Sequence, residues 1–189
     1  RLMTVVPLTP EQFLHRIDDI ITILIEAMRY PQDIFEPRKR MLSTYAFLSG
    51  FKSYVAFESE HPNVETDPIL GFSMICTPPS YSWGHAVKPG LENMNISGLD
   101  NIWIHSAELA EIHVSPQYQG KGIGRKLLQS SIEGARESQA CNLLLTTPIK
   151  DMRRTPAIEM YESEGFIVLH PQFYFPANPN PGLIMGLVL

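Results

Sequence analysis

Residues 111–132 read EIHVSPQYQGKGIGRKLLQSSI: an extended run, a corner holding Gly120, Gly122 and Gly124, and an amphipathic helix. Glycines at the mouth of a helix let the backbone come close to a ligand and point its N–H groups outward. The first helical turn brings orphan N–H donors and a partial positive charge. Together these make an anion site, and Lys121, Arg125 and Lys126 add cationic side chains around it. The stretch reads as a strand feeding a helix, with a corner between them that suits an anionic ligand.

Several anions use such corners. A P-loop needs G-x-x-x-x-G-K-[ST], and no such run is present. A dinucleotide fingerprint needs G-x-G-x-x-G, but counting from Gly120 and Gly122 puts Arg125 at the last glycine. That fingerprint also belongs to a parallel fold with an acidic residue closing the second strand, and CNLLLTTP (141–148) ends in threonines. A tight turn whose glycines serve sterics alone is the bland alternative.

The rest of the chain supplies an ordinary α/β framework. LMTVVPL (2–8) reads as a short strand, and Thr9, Pro10 and Gln12 as a capping box opening a helix over residues 10–29. RKRMLSTYAFLS reads as a second helix ended by Gly50, with PRKR (37–40) as a solvated helix end. KSYVAFES (52–59) and PILGFSMICT (68–77) form a hairpin, and residues 78–102 an irregular loop of the length that lids and binding loops have. From residue 103 the pattern is strand, helix, strand, helix, strand: an extended run to Pro116, a helix over 121–137, a buried strand over 141–148, and a helix over 155–166 with Thr155 as N-cap. FIVLHPQFYF and GLIMGLVL close the chain as strands. One domain over residues 1–189 is expected, with a mixed sheet and helices on its faces.

The run Q-G-K-G-I-G (119–124) resembles the acyl-CoA signature [QR]-x-x-G-x-[GA] of the GCN5-related N-acetyltransferase (GNAT) family. Upstream, ELAEIHVSP stands where the family has its central strand; downstream, AIEMYESEGF resembles its A-x-x-x-Y-x-x-x-G-F element. The likeness covers residues 106–166 and fits the N-terminal half more loosely; the chain is also similar to actinobacterial members. It implies an α/β (α+β mixed sheet) class and a GNAT-like fold: a mostly antiparallel sheet of about six to seven strands with splayed middle strands, flanked by about four helices. It further implies an acetyl-CoA-dependent N-acetyltransferase that needs no metal.

Site residues follow from the resemblance. Backbone N–H groups of Gln119, Gly120, Lys121, Gly122, Ile123, Gly124 and Arg125 would take the CoA pyrophosphate, and backbone groups of Ile112, His113 and Val114 the pantetheine amides. Tyr161 would give its phenolic proton to the departing sulfur; its alternative is a tyrosine packed on the core with a wet hydroxyl. Members often carry an asparagine seven residues before that tyrosine, where this chain has Arg154. With Lys150 and Arg153, Arg154 would meet a CoA phosphate or form a solvated basic loop.

Acetyl transfer to an amine needs a base, because an amine of pKa about 10.4 is mostly protonated at neutral pH. Glu108, eleven residues before Gln119, is the first choice and Glu111 the rival. Three residues apart on a regular strand, they face opposite sides of the sheet. Burial against apolar neighbours would make such a carboxylate a better base. His105 and His113 read as strand histidines without a catalytic part. The acceptor, an amine of a small molecule or peptide, would sit among residues 30–37, the 79–103 loop and the 176–182 turn, where Tyr30, Phe35, Trp83 and Trp103 are available to line a pocket. A non-catalytic acyl-CoA-binding module is the alternative, and would tolerate loss of Tyr161 and Glu108.

Composition excludes other partners. A formal charge of −5 gives no electrostatic reason to bind nucleic acid or an anionic membrane. IITILIEAM is too short to span a bilayer and no signal pattern precedes it, so a cytoplasmic location is expected. The two cysteines, Cys76 and Cys141, lack C-x-x-C spacing and read as buried small hydrophobes. An exposed C-terminal strand is available to pair across a homodimer.

Overall fold

The structure, a computed structural model, describes residues 3–150 and 154–189. Seven strands form one sheet: β1 (Thr4–Leu8), β2 (Phe51–Phe57), β3 (Gly71–Cys76), β4 (Ser106–Val114), β5 (Asn142–Pro148), β6 (Ile167–Phe173) and β7 (Gly182–Val188). Their order is β1-β2-β3-β4-β5-β7-β6. β1–β2, β2–β3, β5–β7 and β6–β7 pair antiparallel, and β4–β5 pairs parallel from Ser106–Asn142 to Glu108–Leu144. This is the mixed, largely antiparallel sheet expected from the sequence. β7 has strands on both sides, so it is not the free edge envisaged for a dimer contact.

The described residues hold eight α-helices where about four were expected: α1 (Pro10–His15), α2 (Ile17–Met28), α3 (Phe35–Tyr45), α4 (Tyr81–Ala86), α5 (Lys88–Glu92), α6 (Leu99–Ile104), α7 (Ile123–Glu137) and α8 (Pro156–Ser163). The expected helix over 10–29 divides at Arg16, whose backbone leaves helical geometry (φ −96°, ψ 12°). The Arg16 guanidinium is 5% exposed and donates to the carbonyls of Val64 (2.6 Å) and Asp67 (2.7 Å). Five buried donors of one side chain need acceptors, and a distant loop supplies them. Residues 78–102 are not irregular: α4, α5 and part of α6 occupy them, and α6 also takes Trp103 and Ile104 from the expected strand. Helices of five or six residues are shorter than the window in which a 3.6-residue period can be read.

The chain divides into two compact units, each assembled from two segments: Arg1–Cys76 with Ala110–Gly134, and Thr77–Leu109 with Ala135–Leu189. In the first, the capping box forms as expected: Gln12 N–H donates to Thr9 Oγ1 (3.1 Å) and Thr9 N–H to Gln12 Oε1 (2.9 Å). Phe13, Ile20, Ile21 and Leu24 then pack on Val55, Phe57, Phe72 and Met74, each fully buried side chain contributing roughly 1.5–3 kcal/mol. On the other face, Ile123 and Leu127 of α7 cover Tyr54, Ala56 and Leu70 together with Ile112 and Val114 of β4.

In the second unit, β5 carries Leu143–Leu145 into the core, and the short helices supply Trp83, Val87, Leu91, Leu99 and Trp103 to pack with Leu144, Phe173 and Ile184. Trp83 and Trp103 stand 6.4 Å apart between ring centres and are 6% exposed each, packed into this core. Cys76 is buried as expected, but Cys141 is exposed; it precedes β5, and its backbone bonds His105 O and Leu189 N–H. Among the described residues no helix is long and apolar enough to cross a membrane.

Candidate active site

The glycine corner lies in the first unit and is held from below. Ser115 N–H donates to Leu70 O (2.9 Å), a single 3₁₀ turn over Pro116–Tyr118 follows, and Gln119 Nε2 donates back to Val114 O (3.1 Å). Gly120 and Gly122 then adopt φ of +76° and +82°, conformations that side-chain-bearing residues rarely adopt. A Cβ at either would find open space within 4 Å, so the requirement for glycine is conformational and the surface beyond is unfilled. α7 begins at Ile123, buried beside Leu127, with Gly124 second in its first turn. Gly122, just before it, has no side chain with which to cap the helix. Over fifteen residues α7 builds a dipole whose positive end is this corner. Lys121 lies 5.4 Å over the Tyr118 ring, and Lys121, Arg125 and Lys126 are exposed. The arrangement suits a polyanion bound by backbone.

β4 just upstream breaks its own alternation. Ile112 and Val114 pack on the α7 side, whereas Ala110 packs with the α1–α3 side. Glu111 also turns to the α3 side: its Oε1 lies 3.6 Å from Arg38 Nη1. His113 follows, its Nε2 2.6 Å from Glu111 Oε2 and its ring 5.6 Å from Phe72. Two successive residues, Ala110 and Glu111, thus share a side, which removes the parity argument for setting Glu108 and Glu111 on opposite faces. Arg38 in turn stacks over Tyr30, 5.4 Å from the ring centre. The sequence reads Arg38 as part of a solvated helix end and the His113 side chain as idle, whereas both stand beside Glu111. An E-x-H pair on one strand carried the signal for their association, since i and i+2 share a face.

Glu108, in the second unit, is fully buried. Its Oε1 accepts the backbone N–H of Ser80 at 2.7 Å. Ser80 is the N-cap of α4, its hydroxyl accepting from Trp83 N–H (3.4 Å) and lying 3.1 Å from Ser82 Oγ. Three residues earlier, the buried hydroxyl of Thr77 has no hydrogen-bond partner among the described residues. Neither Ser80 nor Thr77 was singled out from the sequence, because nothing local distinguishes a serine cap that reaches a buried glutamate from any other.

Tyr161 lies on α8, which starts as expected with Thr155 Oγ1 accepting Ile158 N–H (3.2 Å). The helix closes through Gly165 N–H to Glu162 O (3.0 Å) and Phe166 N–H to Tyr161 O (3.1 Å), the paired bonds of a Schellman end. That closure sets the Phe166 ring edge-on to Tyr161 at 5.9 Å, with Tyr161 5% exposed. Arg154 is exposed and ion-paired with Glu162 of α8; the hydrogen bond to Glu162 raises its pKa above the usual guanidinium value, against a smaller opposing cost of desolvation. Arg153 lies outside the described residues. Among the described residues no group of three or more His, Cys, Asp or Glu side chains is placed to hold a metal.

Comparison with known proteins falls on the same elements. Residues 91–168 match the model of the acetyltransferase (GNAT) domain, a span running from α5 to β6. The chain is 25% identical over 202 residues to a GCN5-like protein acetyltransferase of Mycobacterium tuberculosis, covering 97% of each protein. Its fold is similar to that of a putative acetyltransferase of Salmonella typhimurium solved with its cofactor acetyl-CoA (TM-score 0.64, 19% identity, 100% of this chain and 95% of that one). It is also similar to the PaiA N-acetyltransferase of Thermoplasma acidophilum solved with coenzyme A (TM-score 0.61, 16% identity, all of both chains). The glycine corner and the tyrosine helix both lie inside the segment that matches the acetyltransferase (GNAT) domain, and the fold around them is similar to that of solved acetyltransferases.

Proposed function

We propose that the chain, acting as one domain, moves an acetyl group from acetyl-CoA to an amine of a small molecule or peptide by direct transfer in a ternary complex. The observation that carries this reading is the corner at the head of α7: two glycines at positive φ, open space beyond them, and three exposed cations on the same turn. It fits a pyrophosphate bound by N–H groups, and the relatives solved with acetyl-CoA and coenzyme A support that choice of anion.

Acetyl-CoA supplies the activated acetyl group; the chain's residues do the rest. The backbone of Ile112, His113 and Val114 aligns the pantetheine arm, and the Val114 N–H polarises the thioester carbonyl as negative charge develops on its oxygen. A β4 carboxylate, Glu108 or Glu111, takes the ammonium proton, freeing the lone pair that attacks the carbonyl carbon. As the C–N bond forms and the C–S bond breaks, Tyr161 gives its phenolic proton to the sulfur; the nitrogen's second proton returns to the phenolate through solvent, and the proton held by the base is released to water. Arg154, paired with Glu162 in the free chain, would exchange that partner for a CoA phosphate. Calorimetric titration with acetyl-CoA, CoA and NAD tests the reading: micromolar binding of the CoA species alone supports it, and failure to bind them removes it. An amine panel monitored by thiol release then separates a catalyst from a binding module.

A further inference from the structure

We propose that His113 is the proton acceptor of the transfer and that Glu111 is its positioning residue. This rests on reading the chain as an acetyltransferase, and it puts the imidazole of β4 in place of either β4 carboxylate as the group that takes the proton. The geometry is that of an oriented imidazole. Glu111 Oε2 lies 2.6 Å from His113 Nε2, and its other oxygen faces Arg38 Nη1 at 3.6 Å. An ionised carboxylate can only accept, so the proton of the short bond sits on Nε2 and the lone pair on Nδ1. Among the described residues no group bonds Nδ1. Phe72 packs against the ring and limits its rotation. Carboxylate, imidazole and unengaged nitrogen in that order are the parts by which an orienting group holds a histidine in the tautomer that can accept a proton.

Access separates this pair from Glu108. A base must release its proton to water in every cycle. Glu108 is fully buried and holds a backbone N–H, whereas the side chains of His113 and Glu111 are 12% and 16% exposed. His113 also adjoins Val114, the residue whose N–H is read as the donor to the thioester carbonyl. In the step itself the ammonium gives its proton to Nδ1, and the amine lone pair forms the C–N bond as the C–S bond breaks and the sulfur takes the Tyr161 proton; the imidazolium, stabilised by Glu111, then releases its proton to water. Among the described residues Arg38, stacked over Tyr30, is the other charged group facing the pair.

Two measurements decide the matter. Long-range ¹H–¹⁵N spectra of the acetyl-CoA-bound native protein should show His113 with its proton on Nε2, and Glu111→Gln should shift the tautomer balance; a proton on Nδ1, or spectra unmoved by Glu111→Gln, overturns the proposal. Thiol release is then followed with whichever amine of a panel (a polyamine, an aminoglycoside, a lysine peptide) the native protein turns over. His113→Gln should lower kcat by about 10²-fold or more, the usual share of a positioned acid–base group, with the KM for acetyl-CoA unchanged. Glu111→Gln should give a smaller loss in kcat. Unaltered turnover in His113→Gln beside loss in Glu108→Gln would overturn the inference and leave acetyl transfer standing. Absence of CoA binding would instead remove the acetyl-transfer reading on which it rests.

Discussion

β4 carries two glutamates three residues apart, and the two halves of the strand treat them differently. Glu108 is sealed, with a backbone N–H of the α4 cap on its carboxylate. Glu111 stands half-open between an imidazole and a guanidinium. A carboxylate that satisfies a buried backbone donor is tied to the fold, because losing it strands that donor away from water. A carboxylate held by partly wetted side chains costs little to rearrange and exchanges protons with solvent. One residue type on one strand thus serves two ends, and the neighbours decide which.

If the C-terminal half of β4 and the corner beyond it exist for a ligand, damage there should cost affinity well beyond what it costs folding. Gly122→Val is the strongest test. Its φ of +82° is strained for valine, by about 1–3 kcal/mol, and the branched side chain would stand among the outward N–H groups. Acetyl-CoA affinity should fall by two orders of magnitude or more, about 2.7 kcal/mol, while the chain still melts cooperatively. Calorimetry with near-native affinity in this variant would mean that the corner does not bind the donor.

The N-terminal half should answer the other way. Glu108→Ala removes the carboxylate acceptor of the Ser80 N–H in a buried site and opens a cavity, a loss of about 1–3 kcal/mol. For a chain of this length that lowers the thermal midpoint by roughly 2–4 °C per kcal/mol. Glu108→Gln keeps an acceptor for the same N–H and should recover most of the drop. Glu111→Ala, by contrast, leaves two groups that water can reach, so its cost should stay below about 1 kcal/mol. Equal melting losses for the two alanine variants would erase the distinction between the halves.

Much of this was legible in the chain itself. The Thr9–Gln12 box, the Thr155–Pro156 start and the glycine corner are local devices whose chemistry is written in adjacent residues, and each forms as read. The family motif then fixed the strand before the corner and the tyrosine after it. What stayed hidden depends on partners far along the sequence. Arg16 ends α1 because carbonyls some fifty residues on, at Val64 and Asp67, take its guanidinium. Glu108 becomes a clamp because the cap of α4 lands on it. The irregularity at Ala110 and Glu111 follows no local signal at all, since a strand's alternation can be counted only while it holds.

The smallest expected effect asks which neighbour shapes the open half. Arg38 lies 3.6 Å from Glu111, too long for a hydrogen bond, and both side chains touch solvent. Such a pair contributes about 0–1 kcal/mol, and the stack on Tyr30 adds about 0.5–1 kcal/mol at an exposed site. Arg38→Gln should therefore lower the melting midpoint by only a few degrees and leave the 2.6 Å Glu111–His113 bond in place. If His113 alone defines the half-open site, its imidazole signals in Arg38→Gln keep their native positions. If they move as far as in Glu111→Gln, the guanidinium is what turns Glu111 toward the ring, and the open half of β4 is a three-residue device running from α3 to the strand.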